Sequence, residues 1–483
     1  MAPEPSESHD DIERMLADLV GPEAARKMMA DMRSAGIDPA ALARGQVPAN
    51  MGGFLSMARD LLASPDGPVN WELATQVAKT RARQGDRPVT SARADELKRA
   101  LMQADLWLDA VTDHTARDAT RQAWNRERWI DETLGVWKQL TEPVAINATN
   151  AMREALSAQF GNLDMGVASA QIPGIGNILG PTDPNTLISS MAAGIFGLQV
   201  GQAIGELSMD ALGSTDIGLP LGAGNRVALV ADAVESFGEG LGIEATSVAA
   251  FLAVREVAHA RLFSSAPWLR AHVVSAIRAY ASEIRFDLAG IEEAMREAAS
   301  GTGLEGDPQA LAVDISEKMF AADPTPSQRE ALGSLETTLA VIEGWVSFVT
   351  ERACQPFIPA VGALDEMMRR RRASGSPAEQ VLHRLIGVSL RPKRARDAKT
   401  LWAYLDGQLG DERDGVWDHP SRLPLAADLD DPTNYLSRRE QEEAAEASID
   451  AELATLLDGS LGYASGLKPG TESEGDQSVR EGE

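Results

Sequence analysis

The sequence predicts a mainly α-helical protein with one small β-element, and three observations carry that expectation. Long stretches rich in Ala, Leu, Glu and Arg, punctuated by Pro and Gly, fill most of the 483 residues. Thr325-Pro326-Ser327-Gln328 has the form of a capping box with Pro at the first helical position, and Leu332, Leu335, Leu339, Ile342, Val346 and Val349 follow at alternating three- and four-residue spacing. The β-element rests on Asp216 to Leu221 and Arg226 to Val230, two short apolar runs separated by Gly222-Ala223-Gly224-Asn225, which read as a hairpin.

In chain order, an N-terminal module of two or three helices is expected over residues 1–48, with apolar stripes in Asp10 to Val20 and Pro22 to Ala35. Asn70 to Arg81 and Ser91 to Thr112 read as helices leading into a region with Trp107, Trp124, Trp129 and Trp137, expected as core anchors. Thr141-Glu142-Pro143 reads as the opening of a further helix. Gly161 to Asn185 is a Gly/Pro-rich connector, a linker or a lid. The nearly continuous apolar run Ser247 to Phe263 reads as a buried helix. After Tyr435 the chain turns acidic and then rich in Gly and Ser, so residues 436–483 are expected as a largely disordered tail.

Composition narrows the function. With 45 basic against 72 acidic side chains the formal charge is −27, which argues against nucleic acid or anionic membrane as partners of the whole protein. The basic runs Arg369 to Arg372 and Arg391 to Arg396 are exceptions, and the acidic tail after Glu440 is their expected internal partner. The single cysteine, Cys354, excludes an internal disulfide framework, and Met1-Ala2-Pro3-Glu4-Pro5 has no leader pattern, so a cytoplasmic location is expected. Leu187 to Gly205 is uncharged, but with Gln199, Gln202 and glycines at 197, 201 and 205 it suits close packing in a core better than a lone membrane span.

The chemistry concentrates on Arg255-Glu256-Val257-Ala258-His259, inside that buried helix. On a helical wheel Arg255 lies about 40° from His259 on one side and Glu256 about 60° on the other, so all three can face one partner. Glu343 borders the buried stripe of the helix that Thr325 opens and is the best partner in the sequence. No second Glu-x-x-His exists, since Ser6, Val111, Leu269, Gln380 and Val416 precede the other histidines by three, which leaves a di-iron carboxylate bundle half its ligands short.

The pentad differs at one position from the zinc-protease helix signature, in which two His four apart bind Zn²⁺ and the adjacent Glu is the general base. Val254 to Phe263, with Ala266-Pro267-Trp268-Leu269-Arg270, Ile342 to Val346, Leu390 to Arg394, Trp417-Asp418-His419-Pro420 and Asp428 to Pro432, resembles a bacterial family of zincin-like hydrolases, labelled zinc-dependent metalloproteases, over about 51–435. A sister branch linked by name to deazaflavin-coenzyme biosynthesis has His at the position of Arg255. The resemblance implies a zincin-like core with its β-element beside the site helix, His259 and Glu343 as metal ligands, and Glu256 as the catalytic base. Arg255 has no lone pair for a metal. Two outcomes follow. Arg255 takes the metal's place in a buried ion-pair network and the chain, weak or inactive as a hydrolase, binds a peptide or protein; or zinc is held by an atypical ligand set and the chain is an active metallopeptidase.

Overall fold

The computed structural model describes residues 67–116, 118–160, 184–215, 225–283, 325–373 and 394–457. Twelve helices and two short strands make up the described chain, so the fold is mainly α as its patterning predicts. The N-terminal module, the 161–183 part of the connector, the 216–221 run, the 374–393 stretch and the end of the tail lie outside these residues.

Helices α1 (Trp71–Ala82) and α2 (Ser91–Leu108) start where side-chain oxygens cap them: Asn70 accepts from the Leu73 N–H at 3.0 Å and Thr90 from the Arg93 N–H at 3.3 Å. Strand β1 (Thr120–Trp124) follows, then α3 (Arg126–Phe160). The expected helix start at Thr141-Glu142-Pro143 is corrected here: Pro143 lies inside one continuous helix. Proline removes the N–H that would bond to the Gln139 carbonyl, and the Arg278 guanidinium donates to that carbonyl at 3.4 Å instead. Trp124, Trp129 and Trp137 are buried anchors as expected, while Trp107 is half-buried and stacks on Phe357.

Helix α4 (Pro184–Asp210) packs along α1 through the expected glycines. A Cβ at Gly201 would stand 2.5 Å from the Ala74 carbonyl oxygen, and one at Gly197 2.7 Å from that of Asn70, so the two backbones touch where side chains are missing. Among the described residues no helix is long and apolar enough to cross a membrane.

Strand β2 (Arg226–Val230) lies where expected, but its described partner is β1, in parallel, from Thr120 opposite Arg226 to Trp124 opposite Val230. Gly213 adds an antiparallel bridge to Leu229. Helix α5 (Ala231–Gly238) leads from β2 to α6 (Ala245–Ser265), which packs on β2, α2 and α8. Next come α7 (Pro267–Ser282) and α8 (Pro326–Cys354), whose capping box forms as predicted: the Gln328 N–H donates to Thr325 Oγ1 at 3.1 Å and the Thr325 N–H to Gln328 Oε1 at 2.8 Å. Helices α9 (Val361–Ala373) and α10 (Ala395–Leu409), two 3₁₀ turns, α11 (Ala426–Asp430) and α12 (Thr433–Leu457) complete the fold. Helix α12 carries the first part of the acidic segment, and its far half is exposed.

Candidate functional site

Helix α6 is buried from Val248 through His259 because apolar residues occupy nearly every side of it. Its polar residues are therefore forced into contact with neighbouring elements, and each has partners. Arg261 anchors the helix to α2: its guanidinium donates to Asp109 Oδ1 at 2.7 Å, to Asp105 Oδ1 at 3.1 Å and to the Asp105 carbonyl at 2.8 Å.

Arg255, His259 and Glu343 meet, as the sequence led us to expect. The Arg255 guanidinium donates from Nη2 to Glu343 Oε1 and from Nη1 to Ser347 Oγ at 3.2 Å, and Ser347 Oγ is 3.4 Å from Glu343 Oε1. Glu343 and Ser347 share a face of α8 because they are four residues apart. A second arginine, Arg372 on the last turn of α9, donates from Nη1 to Glu343 Oε2. Each carboxylate oxygen of Glu343 thus carries a guanidinium, with Glu343 and Arg255 side chains 4% exposed and that of Arg372 16%.

His259 completes the cluster. Its Nδ1 is 2.9 Å from the Arg255 carbonyl, which can only accept, so Nδ1 bears the proton and Nε2 the lone pair. Nε2 is buried and has no hydrogen-bond partner among the described residues; it stands 3.8 Å from Glu343 Oε2. Burial pushes the His259 pKa down to about 4, with Arg255 and Arg372 adding to the fall and Glu343 opposing it. Burial alone would raise the Glu343 carboxyl, but Arg255, Arg372 and His259 draw it down to about 2. The Cys354 thiol is pushed up to about 12 by burial despite Arg255.

These values fix a pH dependence. Unfolded His259 takes up a proton below about pH 6.5, the folded ring not until about pH 4. In that window the unfolded state holds more protons, so stability is lost as pH drops, at up to about 1.4 kcal/mol per pH unit. The Glu343 contribution is complete above about pH 4.5 and is lost as pH falls toward 2. Urea titrations at pH 4.5, 5.5 and 6.5 should show the first slope in the native chain and a flatter one in His259→Gln. Equal slopes would show that other groups set acid stability.

Glu256 lies toward the sheet. Ser214 Oγ donates to its carboxylate while accepting from the Ala228 N–H at 3.2 Å, and the carboxylate rests on Gly213, where a Cβ would be 2.5 Å from Glu256 Oε2. Trp129 Nε1 donates to the Gly213 carbonyl at 3.0 Å, fixing that floor from α3. No spacing or motif in the sequence marks Ser214 or Gly213 as site neighbours.

Among the described residues, the partners of the basic run Arg369 to Arg372 lie outside the acidic tail. Arg369 pairs with Glu366 at 2.9 Å, Arg370 with Glu366 at 2.8 Å, Arg371 donates to the Asp210 carbonyl, and Arg372 enters the site. In the tail, Glu442 and Glu443 pair with Arg438 and Arg439 one turn away. His419 caps a turn through Ser421, His272 packs edge-on against Trp268, and Asp428 is held by Arg438 at 2.7 Å.

A catalytic zinc asks for three protein ligands and an open fourth position. His259 fits, since a ligating His keeps its other nitrogen on a carbonyl or carboxylate. Glu343 does not, with both oxygens on guanidiniums, and among the described residues no group of three or more His, Cys, Asp or Glu is placed to hold a metal. The donor set does not fit a three-ligand zinc centre.

A solved structure from Chloroflexus aurantiacus, described as a "putative hydrolase with a novel fold", superposes with a TM-score of 0.49 at 16% identity, over 77% of this chain and 99% of that one. No curated protein matches the chain. The family model of the zincin-like metallopeptidases matches residues 69–436, a span that holds α6, both strands and every residue of the Glu343 cluster, and the chain belongs to that family.

Proposed function

We propose that this chain is a zincin-like metallopeptidase relative in which arginine supplies the positive charge a metal brings to the active form, that it is weak or inactive as a hydrolase, and that it acts in the cytoplasm as a peptide- or protein-binding module. One observation carries this reading: Arg255 occupies the first ligand position of the signature and, with Arg372, holds both oxygens of Glu343. A guanidinium offers no lone pair and opposes a cation, so the ligand set is short by one residue and its carboxylate is already neutralised. Binding makes smaller demands. An extended peptide can add to a strand through main-chain hydrogen bonds without a metal, and β2, paired with β1, lies beside the Glu256 helix.

The second reading, an active zinc metallopeptidase with an atypical ligand set, draws on His259, whose buried Nε2 lone pair has no hydrogen-bond partner among the described residues. Metal analysis of chain purified without chelator, with a cleavage assay on an unfolded protein in added zinc, separates the two. We expect well under one equivalent of zinc, no cleavage, and the same captured peptides for the native chain and Glu256→Gln. Near-stoichiometric zinc lost on His259→Ala, with zinc-dependent cleavage abolished by Glu256→Gln, would decide for the enzyme.

A further inference from the structure

We infer that Arg372 is a second lock on the zincin position, and that it, rather than Arg255, holds the oxygen a metal would share with His259. The inference rests on the arginine-for-metal reading and adds a residue that lies far outside the signature. The two guanidiniums divide the carboxylate: Arg255 takes Oε1 and Arg372 takes Oε2. Oε2 is the oxygen 3.8 Å from His259 Nε2, the ring nitrogen that bears the lone pair. A cation bridging His259 and Glu343 would have to sit between Nε2 and Oε2, where the Arg372 charge opposes it.

The two locks differ in how they are built. Arg255 is enclosed on α6 and also held by Ser347, whereas Arg372 reaches in from the last turn of α9 and keeps partial contact with solvent. Restoring the signature with Arg255→His therefore leaves Oε2 engaged. A metal-competent pair needs both positions changed, and the neutral Arg372→Gln keeps an N–H to offer Glu343 while removing the charge.

Four full-length chains test this with Co²⁺ as the probe: native, Arg255→His, Arg372→Gln and the double variant. Binding is read by the visible absorption of tetrahedral cobalt and by the cobalt-dependent rise in the unfolding midpoint, which reports binding even in a destabilised variant. The double variant should bind about tenfold or more tightly than Arg255→His, lose that gain on His259→Ala, and lose it when Arg372→Lys replaces Arg372→Gln. Equal affinity of Arg255→His and the double variant would overturn the role of Arg372 and leave the proposed function standing. No cobalt response in a double variant with native circular dichroism would overturn the His259–Glu343 edge itself. Tight cobalt binding by the native chain would overturn this inference together with the reading on which it rests.

Discussion

Replacing Glu343 by alanine should destabilise the chain by on the order of 3–5 kcal/mol, because it strands two guanidiniums around one lost carboxylate. Arg255 is nearly fully enclosed and has no water to turn to, so most of the loss falls there. The partner substitutions should rank below it. Arg372→Ala leaves Glu343 with Arg255, and Arg255→Ala leaves it with Arg372, so in neither case is the carboxylate bare. Combining Glu343→Ala with Arg255→Ala should cost less than the sum, since the second change removes the charge the first one stranded. Urea unfolding of the five chains checks this ranking. Small, additive effects from Glu343→Ala and Arg255→Ala would show that the buried pair contributes little and that the cluster is not a charge network.

The same cluster shows how much of the site could be read from the chain. Arg255, His259 and Glu343 were legible because helical spacing fixes which residues share a face, and because a capping box set the register of α8 from its first turn. Arg372 was not. It ends a run of four arginines whose first three meet ordinary partners, and nothing local distinguishes the fourth from a solvated end of the helix. Its contact depends on how α9 packs on α8, which no spacing within α9 encodes. Strand β1 escaped for a related reason. Thr120-Arg121-Gln122-Ala123-Trp124 has no clean alternation, and its pairing with Arg226 to Val230 spans more than a hundred residues of chain. Pro143 misled in the opposite direction, since a local helix-start signal was overridden by a distant arginine that satisfies the freed carbonyl.

The fold class was more robust than these details because it needs only the helical periodicity to be right on average. Gly197 and Gly201 illustrate the boundary. Their four-residue spacing announces a close helix contact, and the contact exists. That α1 is the partner required the structure.

Gly213→Val should cost on the order of 2–6 kcal/mol, and it tests whether the sheet positions Glu256. A Cβ there would stand 2.5 Å from Glu256 Oε2, 2.7 Å from Glu256 Cδ and 2.7 Å from the Ala228 carbonyl oxygen, before the two valine methyls are added. Overpacking a buried position costs about 1–3 kcal/mol, and unseating the Ser214 to Glu256 hydrogen bond leaves buried polar groups unsatisfied at about the same cost again. The bridge to Leu229 and the Trp129 contact to the Gly213 carbonyl limit how far the backbone can retreat. Gly333→Ala on α8 is the matched control: it has open space and should gain up to about 1 kcal/mol from helix propensity. Because two of the three close approaches are to Glu256, the valine should cost less in a Glu256→Ala background than in the native chain. An undiminished cost in that background would show that the strand carbonyl, rather than the carboxylate, makes glycine necessary at this position, and that Glu256 owes its place to α6 alone.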